Sequence, residues 1–136
     1  MSEQAASVQV AADGGYIISG HTNSHNGDVT GLHGQSYDAW IVKLETDGKI
    51  GWQKCYGGSN NETAKYIQNT PDGGYVFTGS SMSSDGDISC NAGSLDVLIM
   101  KINSIGILEW QKTVGGAAFD EGYFILLRHG RFYAKA

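Results

Sequence analysis

Three observations predict an all-β chain built from repeated four-stranded units. The segment Ala11-Ala-Asp-Gly-Gly-Tyr-Ile-Ile-Ser-Gly20 returns 59 positions later as Thr70-Pro-Asp-Gly-Gly-Tyr-Val-Phe-Thr-Gly79, and Gly51-Trp-Gln-Lys54 returns 58 positions later as Glu109-Trp-Gln-Lys112. Pairing 3–34 with 62–93 gives 12 identities and pairing 36–58 with 94–116 gives 10, so 22 of 55 residues match across a one-residue gap at Gln35. The 20 glycines, single proline and 10% aromatics describe short strands separated by tight turns. A repeat of this kind buries its apolar faces only by stacking on neighbouring units, so the duplication implies a modular array.

Each unit reads as four strands. In the first copy these are Ala5 to Val10, Tyr16 to Ser19, Ala39 to Leu44 and Ile50 to Cys55; in the second, Ala64 to Asn69, Tyr75 to Thr78, Val97 to Ile102 and Leu108 to Thr113. The first two strands are joined by Asp13-Gly14-Gly15 and by Asp72-Gly73-Gly74, a turn in which a positive φ is cheap only for glycine. Glu45-Thr-Asp-Gly-Lys49 and Asn103-Ser-Ile-Gly-Ile107 join the last two. Between strands two and three runs a long loop, residues 20 to 38, rich in Asn, Ser, Gly and Asp.

Four antiparallel strands in a unit of about 58 residues is the pattern of a β-propeller blade. Asp-Gly-Gly-Tyr, then Asn-x-x-x-Gly-Asp, Tyr-Asp-x-Trp-x-Val-Lys-Leu, Gly-x-Ile-x-Trp-Gln-Lys and Gly-Gly resembles the tandem repeats of bacterial secreted and cell-surface β-propeller proteins. Ile41-Val-Lys-Leu-Glu-Thr-Asp-Gly-Lys-Ile-Gly-Trp52 is also similar to the strand-turn-strand of quinoprotein-type repeats. The resemblance implies a secreted or cell-surface parent protein and names no activity. It divides the chain into a blade over 3–61, a second over 62–118 and a partial third over 119–136. In that third unit Asp120-Glu121-Gly122-Tyr-Phe-Ile125 matches an opening strand, and Gly130 turns a shortened hairpin in a divergent tail. Closed propellers need four to eight blades, so the chain is expected to be a fragment of about two and a half blades that completes a ring by homo-oligomerisation.

Composition narrows the partners. A formal charge of -5 with only the dispersed Arg128, Arg131 and Lys135 near the C-terminus argues against a nucleic-acid interface. No run approaches 18 apolar residues and Met-Ser-Glu-Gln-Ala-Ala lacks the features of a signal peptide, so the chain as written reads as soluble, with no membrane partner. Cys55 aligns with Thr113 and Cys90 with Gly31, which favours two unbridged thiols.

Several side chains are candidates for chemistry. Trp52 and Trp110 recur in the last strand, where an indole packs between blades or offers a sugar platform; Trp40 stands where Leu98 stands and suits packing. Lys43 and Lys101 are expected to pair with Asp38, Asp96 or a neighbouring blade. Asp28 and Asp87, in Asn26-Gly-Asp28 and Asp85-Gly-Asp87, either hydrogen-bond their own turns or help hold Ca²⁺, although no glutamate closes an EF-hand spacing. His21, His25 and His33 lie in one loop region, and their counterparts are Ser80, Ser84 and Ala92, so no structural need common to both units accounts for them. With Asp28 they have the ligand types of a Zn²⁺ site, and Asp28 or Glu62 would then be ligand or general base. Asn60, Asn61, Glu62, Asp120 and Glu121 are expected on the same face. There is no Gly-x-Ser-x-Gly elbow and no phosphate-cradling loop ahead of a helix.

Three functions follow as expectations. The first is a non-catalytic propeller scaffold that forms a homo-oligomeric ring and presents a loop-face surface to a small molecule or glycan. The second is a metal-dependent hydrolase of esters or phosphoesters, and the third a carbohydrate-binding module.

Overall fold

The computed structural model describes residues 1–91 and 94–116, together with the backbone of two further strands, Phe124–Arg128 and Arg131–Lys135. The described residues are all-β. β1 (Glu3–Val10), β2 (Tyr16–Thr22), β3 (Asp38–Leu44) and β4 (Ile50–Tyr56) form one antiparallel sheet in the order β1-β2-β3-β4. β5 (Glu62–Asn69), β6 (Tyr75–Ser81), β7 (Asp96–Ile102) and β8 (Leu108–Val114) form a second in the same order. β9 (Phe124–Arg128) and β10 (Arg131–Lys135) pair as an antiparallel ribbon. The expected opening residues 120–123 and the turn at Gly130 lie outside the described residues. Among the described residues no helix is long and apolar enough to cross a membrane.

The two sheets agree in detail. Register shifts between Ala5 and Ser7 in β1 and again between Ala64 and Tyr66 in β5, and between Lys43 and Leu44 as between Lys101 and Ile102. The sequence repeat therefore extends to the irregularities, which bend both sheets at matching places.

The Asp-Gly-Gly turn explains itself once the lysines are placed. Gly14 and Gly73 take φ of 87° and 84°, a region closed to most side chains. Asp13 Oδ1 and Asp72 Oδ1 accept the amides of Gly15 and Gly74, each at 2.9 Å. Lys43 Nζ lies 2.9 Å from Asp13 Oδ2, and Lys101 Nζ 3.0 Å from Asp72 Oδ2. A Cβ on Gly15 or Gly74 would stand 2.7 Å from the lysine nitrogen, so the second glycine clears its path. This corrects the expected pairing of Lys43 and Lys101 with Asp38, Asp96 or a neighbouring unit: each reaches across its own sheet to the hairpin turn.

The sheets pack face to face. Ile17, Ala39, Ile41 and Tyr56 from the first meet Ala64, Ile67, Tyr75, Phe77, Leu98, Met100 and Ile102 from the second in one buried cluster. Each large side chain buried there contributes about 1.5–3 kcal/mol relative to exposure. β5 lies against β1, β2 and β3, and β9 lies against β5 and β6. Trp52 spans the seam as expected for a packing residue: its ring sits 6.5 Å from that of Tyr75, and its Nε1 donates to the Ser104 carbonyl at 3.2 Å. Trp110, at the matching position, is exposed. Trp40 is half-buried and donates to Gln53 Oε1 at 2.7 Å. Both cysteines are free, Cys55 buried and Cys90 exposed.

Candidate functional site

The linker between the sheets, residues 57–60, is held by side chains of the second unit, one to each backbone amide. Gly57 N donates to Asp87 Oδ2 at 3.0 Å, Gly58 N to Glu62 Oε2 at 2.8 Å, Ser59 N to Asp85 Oδ1 at 2.8 Å and Asn60 N to Ser83 Oγ at 2.9 Å. Asp87 N returns a bond to the Gly57 carbonyl at 2.9 Å. Charged acceptors make such bonds stronger than neutral ones. Both glycines are required by proximity, because a Cβ on Gly57 would lie 2.4 Å from Glu62 Oε2 and one on Gly58 2.4 Å from Asp85 Oδ1.

The Asp-Gly-Asp loop thus acts across the seam. Asp87 accepts from the linker, which corrects the own-turn expectation for that residue, and Asp85 accepts from the linker beside it. The Ser59 amide, the first cause, holds the Asp85 carboxyl below its ordinary range. Glu62 is fully buried, with Oε1 accepting from Ser81 Oγ at 2.8 Å, so both of its oxygens are engaged within the seam.

His33 completes this corner. Its Nδ1 stands 2.6 Å from Asp38 Oδ2, which also accepts the His33 amide at 2.9 Å, and its Nε2 stands 3.6 Å from Asp87 Oδ2. The imidazole therefore bridges a carboxylate of the first sheet and one of the second unit's loop. Asp38 is buried with Oδ1 unpartnered. Burial is the main cause that raises its pKa, Glu62 adds to it, and the bonds from His33 oppose it. A shallow open cleft of about 260 Å³ lies at this corner, lined by His33, Gly34, Gly58, Ser59, Asp85 and Gly86.

His21 and His25 make no hydrogen bond into this corner, and His129 lies outside the described residues. His21 lies on β2, edge-on to the Tyr37 ring at 5.1 Å, with Nδ1 buried and unpartnered; burial first, and Lys65 second, lower its pKa. His25 and Asp28 are exposed on the loop. Among the described residues no group of three or more His, Cys, Asp or Glu side chains is gathered to hold a metal ion, so His21, His25, His33 and Asp28 are not brought together within the single chain. Asn60 and Asn61 flank the seam, where Asn61 Oδ1 accepts the Tyr37 amide at 3.0 Å. Asp120 and Glu121 lie outside the described residues.

Sequence reasoning passed over Asp85, Ser81, Ser83 and the Gly57-Gly58 pair. The available signal was the repeated Gly-Gly after the Trp-Gln-Lys strand, which marks a place of close approach. No protein-family model matches this chain, and no curated protein matches it significantly.

Proposed function

We propose that this chain is a non-catalytic β-propeller scaffold whose two four-stranded sheets are blades, that its copies close into a ring, and that the corner cleft is its binding surface. One observation carries the reading: β9 lies against β5 and β6 as β5 lies against β1 and β2, so successive units are added by one repeated relation. Stacking of that kind, continued, makes a propeller of four to eight blades. The cleft lined by His33, Ser59 and Asp85 offers polar groups suited to a small polar ligand such as a glycan. A hydrolase has less support, since Glu62 is committed to the seam and the histidines are dispersed. Native mass spectrometry of the 136-residue chain tests the reading. A dimer or larger closed oligomer is expected, and a stable monomer at micromolar concentration would refute ring assembly.

A further inference from the structure

The two units place equivalent residues on equivalent faces, yet only one of those faces is covered. In the second sheet the side carrying Ile67, Tyr75 and Phe77 lies against the first sheet, leaving Ile67 0% and Tyr75 3% exposed. The matching side of the first sheet carries Val8, Tyr16 and Ile18. There Val8 is 60% and Tyr16 40% exposed, with Val10 and Ile50 beside them at 62% and 43%. A groove lined by Ala5, Ala6, Ser7, Val8 and Ile18 opens at this place. A contiguous apolar patch rimmed by polar groups marks an interaction surface.

A polar counterpart stands at its rim. Asp87, Glu62, Asp85 and Ser83 hold the linker 57–60, and their equivalents in the first unit are Asp28, Glu3, Asn26 and Ser24. Asp28, Asn26 and Glu3 are exposed, and Ser24 Oγ donates to Glu3 Oε1. The segment equivalent to that linker is 115–118, in which Gly115 and Gly116 follow β8 as Gly57 and Gly58 follow β4.

We propose that the uncovered side of the first sheet, with Glu3, Ser24, Asn26 and Asp28, docks the C-terminal side of a second copy of this chain. It takes that copy's Gly115-Gly116 linker and the Trp110 side of its second sheet. The inference rests on the propeller reading and names the surfaces through which the ring closes. Complementarity is shown by the chain's own seam, where Trp52 meets Tyr75 and Tyr56 meets Phe77 at 5.4 Å between rings. Trp110 and Val114 occupy the positions of Trp52 and Tyr56, are exposed, and would meet Tyr16 and Ile18. β9, one strand of the terminal ribbon, lies against β5 and β6. Docking therefore exchanges a two-stranded ribbon for a four-stranded sheet that brings its own acceptor loop. The contact is head-to-tail, the type that closes into rings.

Cross-linking tests the surface. In the internal seam a Cβ on Gly58 lies 2.6 Å from the Ser83 Cβ, and the equivalent pair across the proposed contact is Gly116 and Ser24. Among the described residues a Cβ on Gly116 meets nothing within 4 Å. The full chain carrying Ser24→Cys and Gly116→Cys, with Cys90→Ser and the buried Cys55 kept, should form reducible covalent dimers and higher species on oxidation, while chains carrying only one of the two introduced cysteines do not form the higher species. Val8→Lys, at a side chain exposed in the single chain, should weaken association by about tenfold or more with an unchanged circular dichroism spectrum. An oligomer that survives Val8→Lys and fails to cross-link overturns this surface and leaves ring assembly standing. A monomer at micromolar concentration overturns both.

Discussion

The phenolic oxygen of Tyr56 lies 2.5 Å from the carbonyl oxygen of Gly106, joining the last strand of the first sheet to a turn of the second. Tyr56 is fully buried, and burial pushes its pKa upward, so it donates this bond at any pH at which the protein is handled. The same ring rests on Phe77, which leaves the hydroxyl as the separable part of the contact.

Tyr56→Phe should therefore keep the ring packing and lose the hydrogen bond. A buried carbonyl left without its donor costs about 1–3 kcal/mol, which urea denaturation would resolve as a lower midpoint at unchanged slope. An unchanged midpoint would mean that water replaces the hydroxyl.

Acid should loosen the hairpin turns. Lys43 first and the Gly15 amide second hold Asp13 below its ordinary value of 3.8, and Asp72 is depressed first by the Thr70 hydroxyl, then by the Gly74 amide and Lys101. A depressed carboxyl contributes stability that is present above the unfolded value and lost as pH falls through the folded one. The stability difference between the parent and Asp72→Asn should thus be full at pH 7 and shrink below pH 3.8. A difference that grows in acid would contradict the assignment.

Thiol labelling should separate the two cysteines. Burial, with a smaller contribution from Asp38, pushes the Cys55 thiol up to about 12, whereas Cys90 is exposed. A disulfide reagent at pH 8 should label one thiol in the folded chain and the second only after denaturation. Rapid labelling of both would show that the first sheet opens at Cys55.

Zinc titration should find no stoichiometric tight site, because His21, His25 and His33 are not gathered and His33 Nδ1 already faces Asp38. Tight one-to-one binding that disappears in both His21→Ala and His25→Ala would restore the metal reading.

How much was legible follows from what each signal reports. Strand positions came through because Asp-Gly-Gly and Trp-Gln-Lys mark local geometry, and the structure extends β1, β2, β5 and β6 by two or three residues where pairing continues beyond the propensity signal. The partners of Lys43 and Lys101 were misassigned because period-two reasoning looks along a strand, while a long side chain reaches across the sheet. The histidines stood out by type and spacing, yet His21 sits on a strand and His25 on an exposed loop, and spacing carries no information about that separation.

The seam at residues 57–60 is secured through amide hydrogens, which every residue except proline supplies. Those four bonds ask for no particular side chain at positions 59 and 60, where the Ser59 side chain adds a bond to Asp85 and Asn60 Nδ2 one to the Met82 carbonyl at 3.2 Å, while a single insertion or deletion would carry every amide past its acceptor at once. Length, rather than composition, is what such a junction transmits from one unit to the next. That lets an array exchange or duplicate whole units and still join correctly wherever the spacing is kept.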